Sequence, residues 1–430
     1  MVMNMATAMG VIIRAAQRHL EAVKRYRFLP ERSRAEWAVR GAIAVLSMLF
    51  LCLSVSYALG EALKVRNPTL AHALAPWDGE ITALYSMARF TAEQRNPSNA
   101  VVQLAQRAFW QDPTALPAIA VLGLRSQTTG DETKARQLFA YSQFLSRRDL
   151  QTQLWMVEDA VNRGDISGAL RHYDIALRTS KLAPNLMFPV LASAMQDPSI
   201  RAELITTLAK RPAWEADFVA YVAKNAANPH IVAQLYIELQ RAGGGVPLDA
   251  TSAIIDQLAE HGNYSEAWRY YAFNRTIADA STSRDPEFSA MLSEPSIFDW
   301  RPVNDAAIST SVQKGQSQGG VFEFSLPASV GGVVLSQVQM LPPGSYRLDG
   351  YSTGIVQPRR SLPYWSLTCH DGQELGRVDV SKDSGSFSGR FRVPFGCSPQ
   401  TLALVARASD DISGVTGQIS RARLALDGRQ

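Results

Sequence analysis

The sequence has 430 residues, a length that predicts two or three domains rather than one. Hydrophobic residues make up 46% and charged residues 19% of the chain, which is typical of packed cores and excludes disordered, collagen-like and low-complexity proteins. The formal net charge is only +4, and three cysteines are too few for a disulfide-dense scaffold or for most multi-cysteine metal sites.

The basic excess of the chain lies in residues 1–40, which hold eight Lys and Arg against three Glu, whereas the remainder is nearly neutral. Residues 41–60 follow without a single charge. A helix of that length spans roughly 30 Å, the thickness of a bilayer core. We therefore predict a basic cytoplasmic tail at 1–40 and a transmembrane helix at 41–60, with the rest of the chain across the membrane by the positive-inside rule. A buried helix of a soluble protein is one alternative, which the charges at Arg40, Glu61 and Lys64 on either side of the stretch disfavour. A cleaved signal peptide is the other, but this leader and this apolar stretch exceed its usual lengths.

A glycine, an alanine five residues later and an aromatic residue nine residues later recur three times between residues 130 and 271. Glycine permits a tight turn between two helices, the small alanine lets them approach closely, and the aromatic ring fills the space one turn further on. The first two glycines are 34 residues apart. The nine positions are Gly130, Ala135, Phe139, Gly164, Ala169, Tyr173, Gly262, Ala267 and Tyr271.

This pattern resembles the tetratricopeptide repeat, a helix–turn–helix unit of 34 residues. The resemblance implies an α-helical superhelix over residues 65–275 that docks other proteins on its concave surface. The signature is incomplete between Thr179 and Ala250, and a nonrepetitive helical bundle is the alternative. We expect the aromatic residues of this region, with Trp110, Trp155 and Trp268 among them, to lie in the core.

The composition changes again near residue 276, where a stretch rich in Ser, Asp and Thr predicts a linker over residues 276–295. Sixteen of the 28 glycines lie in residues 296–430, and apolar residues there alternate with polar ones, as in Phe322-Glu323-Phe324. Alternation of this kind, interrupted by turn residues, predicts an antiparallel β-sandwich. The fold class expected for the whole chain is multidomain α and β.

Three phrases of this region, LPPGSYRLDGYSTG, PYWSLTC and GRFRVPFGC, resemble carbohydrate-binding modules of the jelly-roll type. The resemblance implies a polysaccharide-contacting sandwich, but binding residues vary among such modules and none transfers by motif. Alternation places Trp365 in the core and Tyr364 outside it. Exposed tyrosines could stack on a pyranose ring and arginines could bind hydroxyls or carboxylates, although an ordinary polar surface is the alternative at each position. These candidates are Tyr351, Tyr364, Arg359, Arg360, Arg390 and Arg392.

Cys369 and Cys397 are the two cysteines outside the predicted span, and Cys52 lies within it. On the non-cytoplasmic side of a membrane an oxidised pair is expected, and two free buried thiols are the alternative.

The sequence offers no recognisable catalytic chemistry. The six histidines are scattered without helical spacing, and phosphate-binding and dinucleotide-binding glycine patterns are absent. We therefore expect no metal, no cofactor and no enzymatic activity. A carboxylate pair of a glycan-modifying enzyme would be set by spatial rather than sequence spacing, so such an enzyme stays as a third alternative.

Taken together, the anchor, repeats and sandwich resemble membrane-anchored repeat proteins of bacterial exopolysaccharide synthesis and export. The resemblance implies a single-pass inner-membrane scaffold with periplasmic domains, whose repeats dock envelope or polysaccharide-machinery proteins while the sandwich contacts polysaccharide. A pure protein-assembly scaffold with a structural sandwich is the alternative. The basic excess is a topology signal, so nucleic acid is not an expected partner.

Overall fold

The structure is a computed structural model that describes residues 33–93, 98–225, 227–275, 278–290, 292–314, 319–409 and 414–428. The chain divides into two compact units, residues 1–152 and residues 153–430. The first unit is helical, and the second contains helices followed by a β-sandwich. This confirms the multidomain α and β class predicted from the sequence.

The first described helix, α1 (Arg34–Leu63), is 30 residues long and contains the uncharged stretch 41–60. Ser33 caps its first turn, where the Glu36 amide donates to the Ser33 hydroxyl at 3.3 Å. Its most apolar 18-residue window has a mean hydropathy of 2.3, and none of that window is buried. The helix is thus long and apolar enough to cross a membrane, and a signal sequence near an N terminus has the same features. Most of the predicted basic tail, residues 1–32, lies outside the described residues.

The first unit continues with helices of 7 to 14 residues, each packed mainly on the helices one or two positions along the chain. They are α2 (Pro68–Leu74), α3 (Gly79–Ala92), α4 (Asn99–Gln111), α5 (Leu116–Thr128) and α6 (Glu132–Leu145).

The first helix of the second unit, α7 (Leu150–Asn162), begins three residues before the boundary of the unit at residue 153. The others are α8 (Ile166–Thr179), α9 (Ala183–Ala194), α10 (Pro198–Leu208), α11 (Glu215–Asn225), α12 (Pro229–Arg241), α13 (Leu248–Glu260) and α14 (Tyr264–Asn274). From α8 onward, the helices of the second unit pack on the next helix, on the one after it or on both, as in stacked helix pairs of a solenoid. Two side-chain hydrogen bonds, Gln257 to Ala223 and Gln240 to Asn274, join residues 34 positions apart. The assignment to the tetratricopeptide family itself stays a prediction.

The turns between paired helices are built on glycines in the left-handed backbone region. Gly130, Gly164 and Gly262 have φ of +80°, +71° and +79°, and the amide after each donates to the carbonyl five residues before it. A Cβ at any of the three would meet no atom within 4 Å, so backbone conformation rather than space favours glycine there. Gly243 has the same turn at φ +85°, in the region where the repeat signature was incomplete.

The alanine and aromatic positions of the repeat pattern are all buried. Phe139 lies so close to α5 that a Cβ at Gly123 would be 2.6 Å from its ring. Trp155 is also buried, but Trp110 is 83% exposed, so the prediction of a core position was wrong for it. Phe109 packs instead on a cluster of alanines from α3, α4 and the start of α5, because consecutive residues of a helix point about 100° apart.

Ten strands of the second unit form two antiparallel sheets. They are β1 (Arg301–Pro302), β2 (Ser309–Lys314), β3 (Gly320–Leu326), β4 (Gly332–Gln339), β5 (Gly344–Ile355), β6 (Tyr364–Cys369), β7 (Glu374–Asp379), β8 (Asp383–Val393), β9 (Gln400–Ala406) and β10 (Val415–Leu426), counted among the described residues.

The two sheets have strand orders β2-β3-β10-β5-β8 and β1-β4-β9-β6-β7. Inward side chains of both sheets form one hydrophobic core, in which Trp365, Phe322 and Tyr346 are fully buried. The inward position of Trp365 is the one that alternation predicts.

The connection between α14 and the sandwich packs against both. The Arg284 side chain is buried, and it donates through Nε to the Phe298 carbonyl at 3.0 Å and through Nη1 to Gln339 Oε1 at 2.6 Å. Its guanidinium carbon also lies 5.3 Å from the ring centroid of Trp268 on α14. Burial lowers the pKa of Arg284 to about 10, which leaves the group charged at neutral pH. Phe288, from the same predicted linker, belongs to the sandwich core.

Candidate functional site

The outer face of the β2-β3-β10-β5-β8 sheet is the most chemically distinctive surface of the sandwich, and we call its part on β10, β5 and β8 the open face. Strand β5 alternates strictly, so that Tyr346 and Leu348 enter the core while Asp349 and Tyr351 point outward. The Tyr351 side chain is 44% exposed. The outward residues that define the open face are Arg347, Asp349, Tyr351, Ser386, Ser388, Arg390, Arg392, Arg421 and Arg423.

Strand register places a cation and a hydroxyl on either side of Tyr351. Tyr351 is opposite Arg421 on β10 and opposite Ser386 on β8. Its hydroxyl lies 3.3 Å from the Ser384 Oγ, also on β8. An aromatic ring flanked by hydrogen-bonding groups therefore lies in the middle of a three-strand platform.

The open face has five arginines and two carboxylates, counting Asp427 just after β10. Arg347 and Arg390 both pair with Asp427, at 2.9 and 2.8 Å. Asp349 accepts a hydrogen bond from the Ser388 hydroxyl at 2.7 Å. Within the part of the chain that the structure describes, the other three arginines of this face, Arg392, Arg421 and Arg423, form no ion pair. These guanidinium groups can donate hydrogen bonds to a ligand or bind an anionic group.

A groove of about 490 Å³ lies on the same outer face. It begins at Thr353 and Gln418, next to the Tyr351 position, and extends over β3 and β2. Its polar side chains are hydrogen-bonded in series: Thr353 Oγ1 donates to Gln418 Oε1 at 3.0 Å, and Gln418 Nε2 donates to Glu323 Oε1 at 2.6 Å. Gln418 and Thr353 are opposite each other on β10 and β5, next to the row of Tyr351. The groove thus extends the polar platform with further donors and acceptors.

Tyr364 lies on the outer face of the other sheet, in a different environment. The guanidinium carbons of Arg377 and Arg407 lie 4.6 and 4.3 Å from its ring centroid. The Arg377 guanidinium donates hydrogen bonds to the Glu374 carboxylate. These hydrogen bonds lower the pKa of the Glu374 carboxyl below its ordinary value. The Tyr364 ring is therefore already stacked with protein groups.

The four predicted arginines lie in two different parts of the sandwich. Arg390 and Arg392 lie on the open face with Tyr351. Arg359 and Arg360 lie in a short 3₁₀ helix (Arg359–Ser361) that leads from β5 to β6, outside the register of the open face. Arg421 and Arg423 are not among the predicted residues. Alternation in β10 places both outward, and this pattern could have identified them.

Cys369 and Cys397 form a disulfide, with their Cα atoms 5.1 Å apart. The bond links the end of β6 to the turn before β9. Cys52, in the apolar helix α1, is free.

A larger cavity, of about 1010 Å³, lies between the end of α14, the connecting segment and the sandwich. Tyr271 donates to Asp299 there at 2.9 Å, and Arg275 approaches the same carboxylate at 3.8 Å. Burial raises the pKa of the Tyr271 hydroxyl above its ordinary range. Arg423 of the open face also lines this cavity. Among the described residues, no cluster of three or more His, Cys, Asp or Glu side chains could hold a metal ion.

No family model matches the sequence, and no curated protein matches it. Among solved structures, the sandwich resembles carbohydrate-binding modules (CBMs). A CBM4 structure matches at 10% identity over 35% of this chain and 99% of its own, with a TM-score of 0.24. TmCBM61 in complex with β-1,4-galactotriose matches at 18% identity over 35% of this chain and 97% of its own, with a TM-score of 0.23.

Larger proteins also match, but over a small part of their length. The Clostridium thermocellum xylanase 10B CBM22-1–GH10 structure with xylohexaose matches at 10% identity and a TM-score of 0.23, over 34% of this chain and 28% of its own. The match to the tailspike protein 4 enzymatically active domain of bacteriophage CBA120 covers 22% of that chain. The chain therefore spans less than a third of these two structures.

Proposed function

We propose that the protein is a non-enzymatic, single-pass membrane protein that binds polysaccharide through the open face of its sandwich. The observation that carries this proposal is the exposed ring of Tyr351, which lies between the hydroxyl of Ser386 and Arg421, a cation without an ion pair to any described residue. Carbohydrate recognition combines an apolar ring, on which the C–H face of a pyranose can stack, with hydrogen-bonding groups that reach its hydroxyls. The open face supplies both on three adjacent strands.

The shape and length of this surface favour an extended chain over a single sugar. The groove beyond Thr353 and Gln418 continues the row of polar groups toward β2. Arg392, Arg421 and Arg423, which form no ion pair within the described ranges, favour a glycan that carries carboxylates or other anionic groups, because a guanidinium group binds a carboxylate through two parallel hydrogen bonds. We infer that acidic polysaccharides bind more tightly than neutral ones.

The proposed location is the inner membrane of a bacterial envelope, with the N terminus in the cytoplasm and both folded units in the periplasm. Three features support it: the apolar helix α1, the basic residues that precede it, and the disulfide, which is typical of an oxidising compartment. In this setting the bound polysaccharide would be one handled during exopolysaccharide synthesis or export.

The test compares two tyrosine variants of the full chain in detergent. Binding to a panel of soluble neutral and acidic polysaccharides is measured by calorimetry for the parent chain, Tyr351→Ala and Tyr364→Ala. We expect an acidic polysaccharide to bind and Tyr351→Ala to weaken it by about tenfold, which corresponds to the loss of about 1.4 kcal/mol. Tyr364→Ala, the matched control, should leave binding unchanged because its ring is already stacked with Arg377 and Arg407.

Absence of binding across the whole panel would show that the sandwich is structural. An equal loss in both tyrosine variants would show that binding does not occur on the open face. A loss in Tyr364→Ala alone would move the site to the other sheet.

A second candidate function is protein docking through the helical region. On α9 the side chains of Leu186 and Val190 are exposed, and Leu182 just before the helix continues the same i, i+4, i+8 stripe. Such an apolar stripe is typical of protein–protein contacts. Under this candidate, an envelope or polysaccharide-machinery protein would crosslink to the chain in native membranes. Leu186→Asp would abolish that crosslink, whereas Tyr351→Ala would not affect it.

A further inference from the structure

The chain immediately after α1 forms a second apolar surface beside the end of that helix. Residues 67–77 contain no Asp, Glu, Lys or Arg, although Arg66 and Asp78 flank them directly. This segment includes α2 and the turn that follows it. It is apolar and lies next to a candidate membrane span, so its position relative to that span decides what surrounds it.

Helix α2 packs back against the apolar part of α1. The Ser56 hydroxyl donates to the Leu74 carbonyl at 2.7 Å. A Cβ at Gly60 would lie 3.2 Å from both the Ala75 Cβ and the Ile81 Cδ1, so the absence of a side chain at Gly60 allows this close approach. Ser56 precedes the last residue of the uncharged stretch by about 6 Å of helix rise. The end of α2 therefore lies alongside the apolar stretch rather than beyond it.

The outward surface of the segment is apolar. Leu70 is 46% exposed on α2, and Ala73 is exposed on the same helix. Trp77 is 49% exposed in the turn that follows α2. Tyr57 on the adjacent turns of α1 is exposed as well. Trp and Tyr are enriched where a membrane-spanning segment meets the headgroup region, and leucine side chains of surface helices insert into the acyl boundary.

The inward surface of the segment is occupied by the protein. Ala71 is buried, and the His72 ring stacks on Tyr85 of α3 at 4.8 Å between centroids. His72 Nδ1 also lies 3.3 Å from the Thr82 hydroxyl. Burial, with a smaller contribution from Arg107, lowers the pKa of His72. The segment is therefore uncharged at neutral pH and has an outward face without a protein partner among the described residues.

Charged side chains are grouped around the end of α1, just after its uncharged stretch. Lys64 pairs with Glu61 at 2.9 Å and with Glu80 at 2.7 Å. These ion pairs suit the aqueous edge of a bilayer, whereas the Ser56–Leu74 hydrogen bond satisfies two polar groups where water is scarce.

We propose that residues 67–77 form a membrane-contact segment, which lies in the headgroup region of the bilayer that α1 crosses and inserts Leu70 and Trp77 toward its acyl chains. The occupant of this apolar surface is thus lipid, and its continuity with α1 carries the assignment. Since the segment has no Lys or Arg, its contact does not depend on anionic lipid. The contact fixes the depth of α1 and holds α3 at the membrane surface. This inference rests on the proposed membrane anchoring.

The test measures depth at three single cysteines in the full chain, reconstituted in phosphatidylcholine vesicles. In a Cys52→Ala background the disulfide pair does not react with maleimide, so Leu49→Cys, Leu70→Cys and Leu186→Cys can each take the fluorophore NBD. Leu49 lies in the middle of α1, and Leu186 on α9 is an exposed leucine of the second unit. Quenching is compared between lipids with a nitroxide near the headgroup and lipids with one deep in the acyl chain.

We expect the NBD group at position 49 to be quenched most by the deep nitroxide. The NBD group at position 70 should lose about half of its emission to the shallow nitroxide, as a group in the headgroup region would. Leu186, the matched exposed leucine, should lose almost none. Trp77→Cys provides a second probe of the segment and should behave as Leu70 does. Leu70 and Trp77 both lie at the surface, so we expect the folded unit to tolerate these changes.

Two other results separate the two proposals. Quenching at Leu49, with Leu70 and Trp77 as unaffected as Leu186, would overturn the membrane-contact segment and retain the anchor. The absence of quenching at Leu49 would overturn the proposed anchor, and the inference with it.

Discussion

The two outer faces of the sandwich each carry one tyrosine that the sequence analysis selected for sugar contact, and they present it differently. Tyr351 is flanked by Arg421 and Ser386 on neighbouring strands, and its ring is exposed. Tyr364 is stacked with Arg377 and Arg407. The same alternation places both side chains outside the core. The difference teaches that an outward position does not by itself make an aromatic ring available, because partners from other strands decide whether it is free.

Under the proposed function, the Tyr364 face has a structural role and the open face has the binding role. Each role can be tested by substitutions whose effects on stability and on binding diverge. The expected effects are given below from the largest to the smallest, with stability measured by hydrogen–deuterium exchange of strand amides in the full chain.

The largest effect is expected at the disulfide beside the Tyr364 face. Replacing both Cys369 and Cys397 by serine releases a loop with a sequence separation of 28. In the chain-entropy model this lowers the free energy of unfolding of the sandwich by about 3.5 kcal/mol. Exchange of the β6 and β9 amides should accelerate accordingly, and Cys52→Ser is the control. Unchanged exchange would show that the disulfide adds nothing to the stability of this face.

A smaller loss is expected from Gly350→Ala, next to Tyr351 on β5. The added Cβ would lie 2.1 Å from Phe387 Cζ and 2.3 Å from the Arg421 carbonyl oxygen, which as backbone cannot rotate away. Overpacking of this kind costs about 2–3 kcal/mol and should shift β10 away from β5. Polysaccharide binding should fall with stability. Ser386→Ala, exposed on the same face, should stay within about 0.5 kcal/mol of the parent.

The two tyrosines should separate stability from binding. Tyr364→Ala removes a partly buried ring and its contacts with two guanidinium groups, and we expect a loss of about 1 kcal/mol. Tyr351→Ala should change stability by less than about 0.5 kcal/mol, since its ring is exposed. Exchange rates of β5 and β6 amides report both. The reverse ranking would contradict the division of roles between the faces.

The smallest effect is expected at the unpaired cations. Arg421→Gln and Arg423→Gln should each weaken binding of an acidic polysaccharide by about threefold at low salt, and less at high salt because exposed charges are screened. Binding of a neutral polysaccharide should hardly change. Arg377→Gln, on the other face, serves as the control. A salt-independent loss would point to hydrogen bonding to hydroxyls instead of charge.

The sequence predicts the local features of this molecule well. The glycines at 130, 164 and 262 indicated helix-pair turns, and the structure gives all three the left-handed conformation. Alternation likewise separated the buried Trp365 from the outward Tyr364. These features depend on residues close in sequence, so periodicity is enough to predict them.

Features that depend on strand order were not predicted. Arg421 is 70 residues from Tyr351 and becomes its neighbour only because β10 lies between β3 and β5. Arg407 reaches Tyr364 from beyond β9, which no spacing in the sequence reveals. Trp110 was wrongly expected in the core because its neighbour Phe109 has the inward position.

The contacts of the connecting segment determine where the chain can be cut. A fragment that begins at residue 296 would lack Phe288 from its core, and the Ser283 amide would no longer donate to the Leu424 carbonyl at 2.8 Å. The carbonyls and the amide oxygen bound by Arg284 would lose their donor as well. A soluble sandwich fragment should therefore begin before Thr282, and retaining α13 would also preserve the hydrogen bond from the Ile297 amide to Asp256.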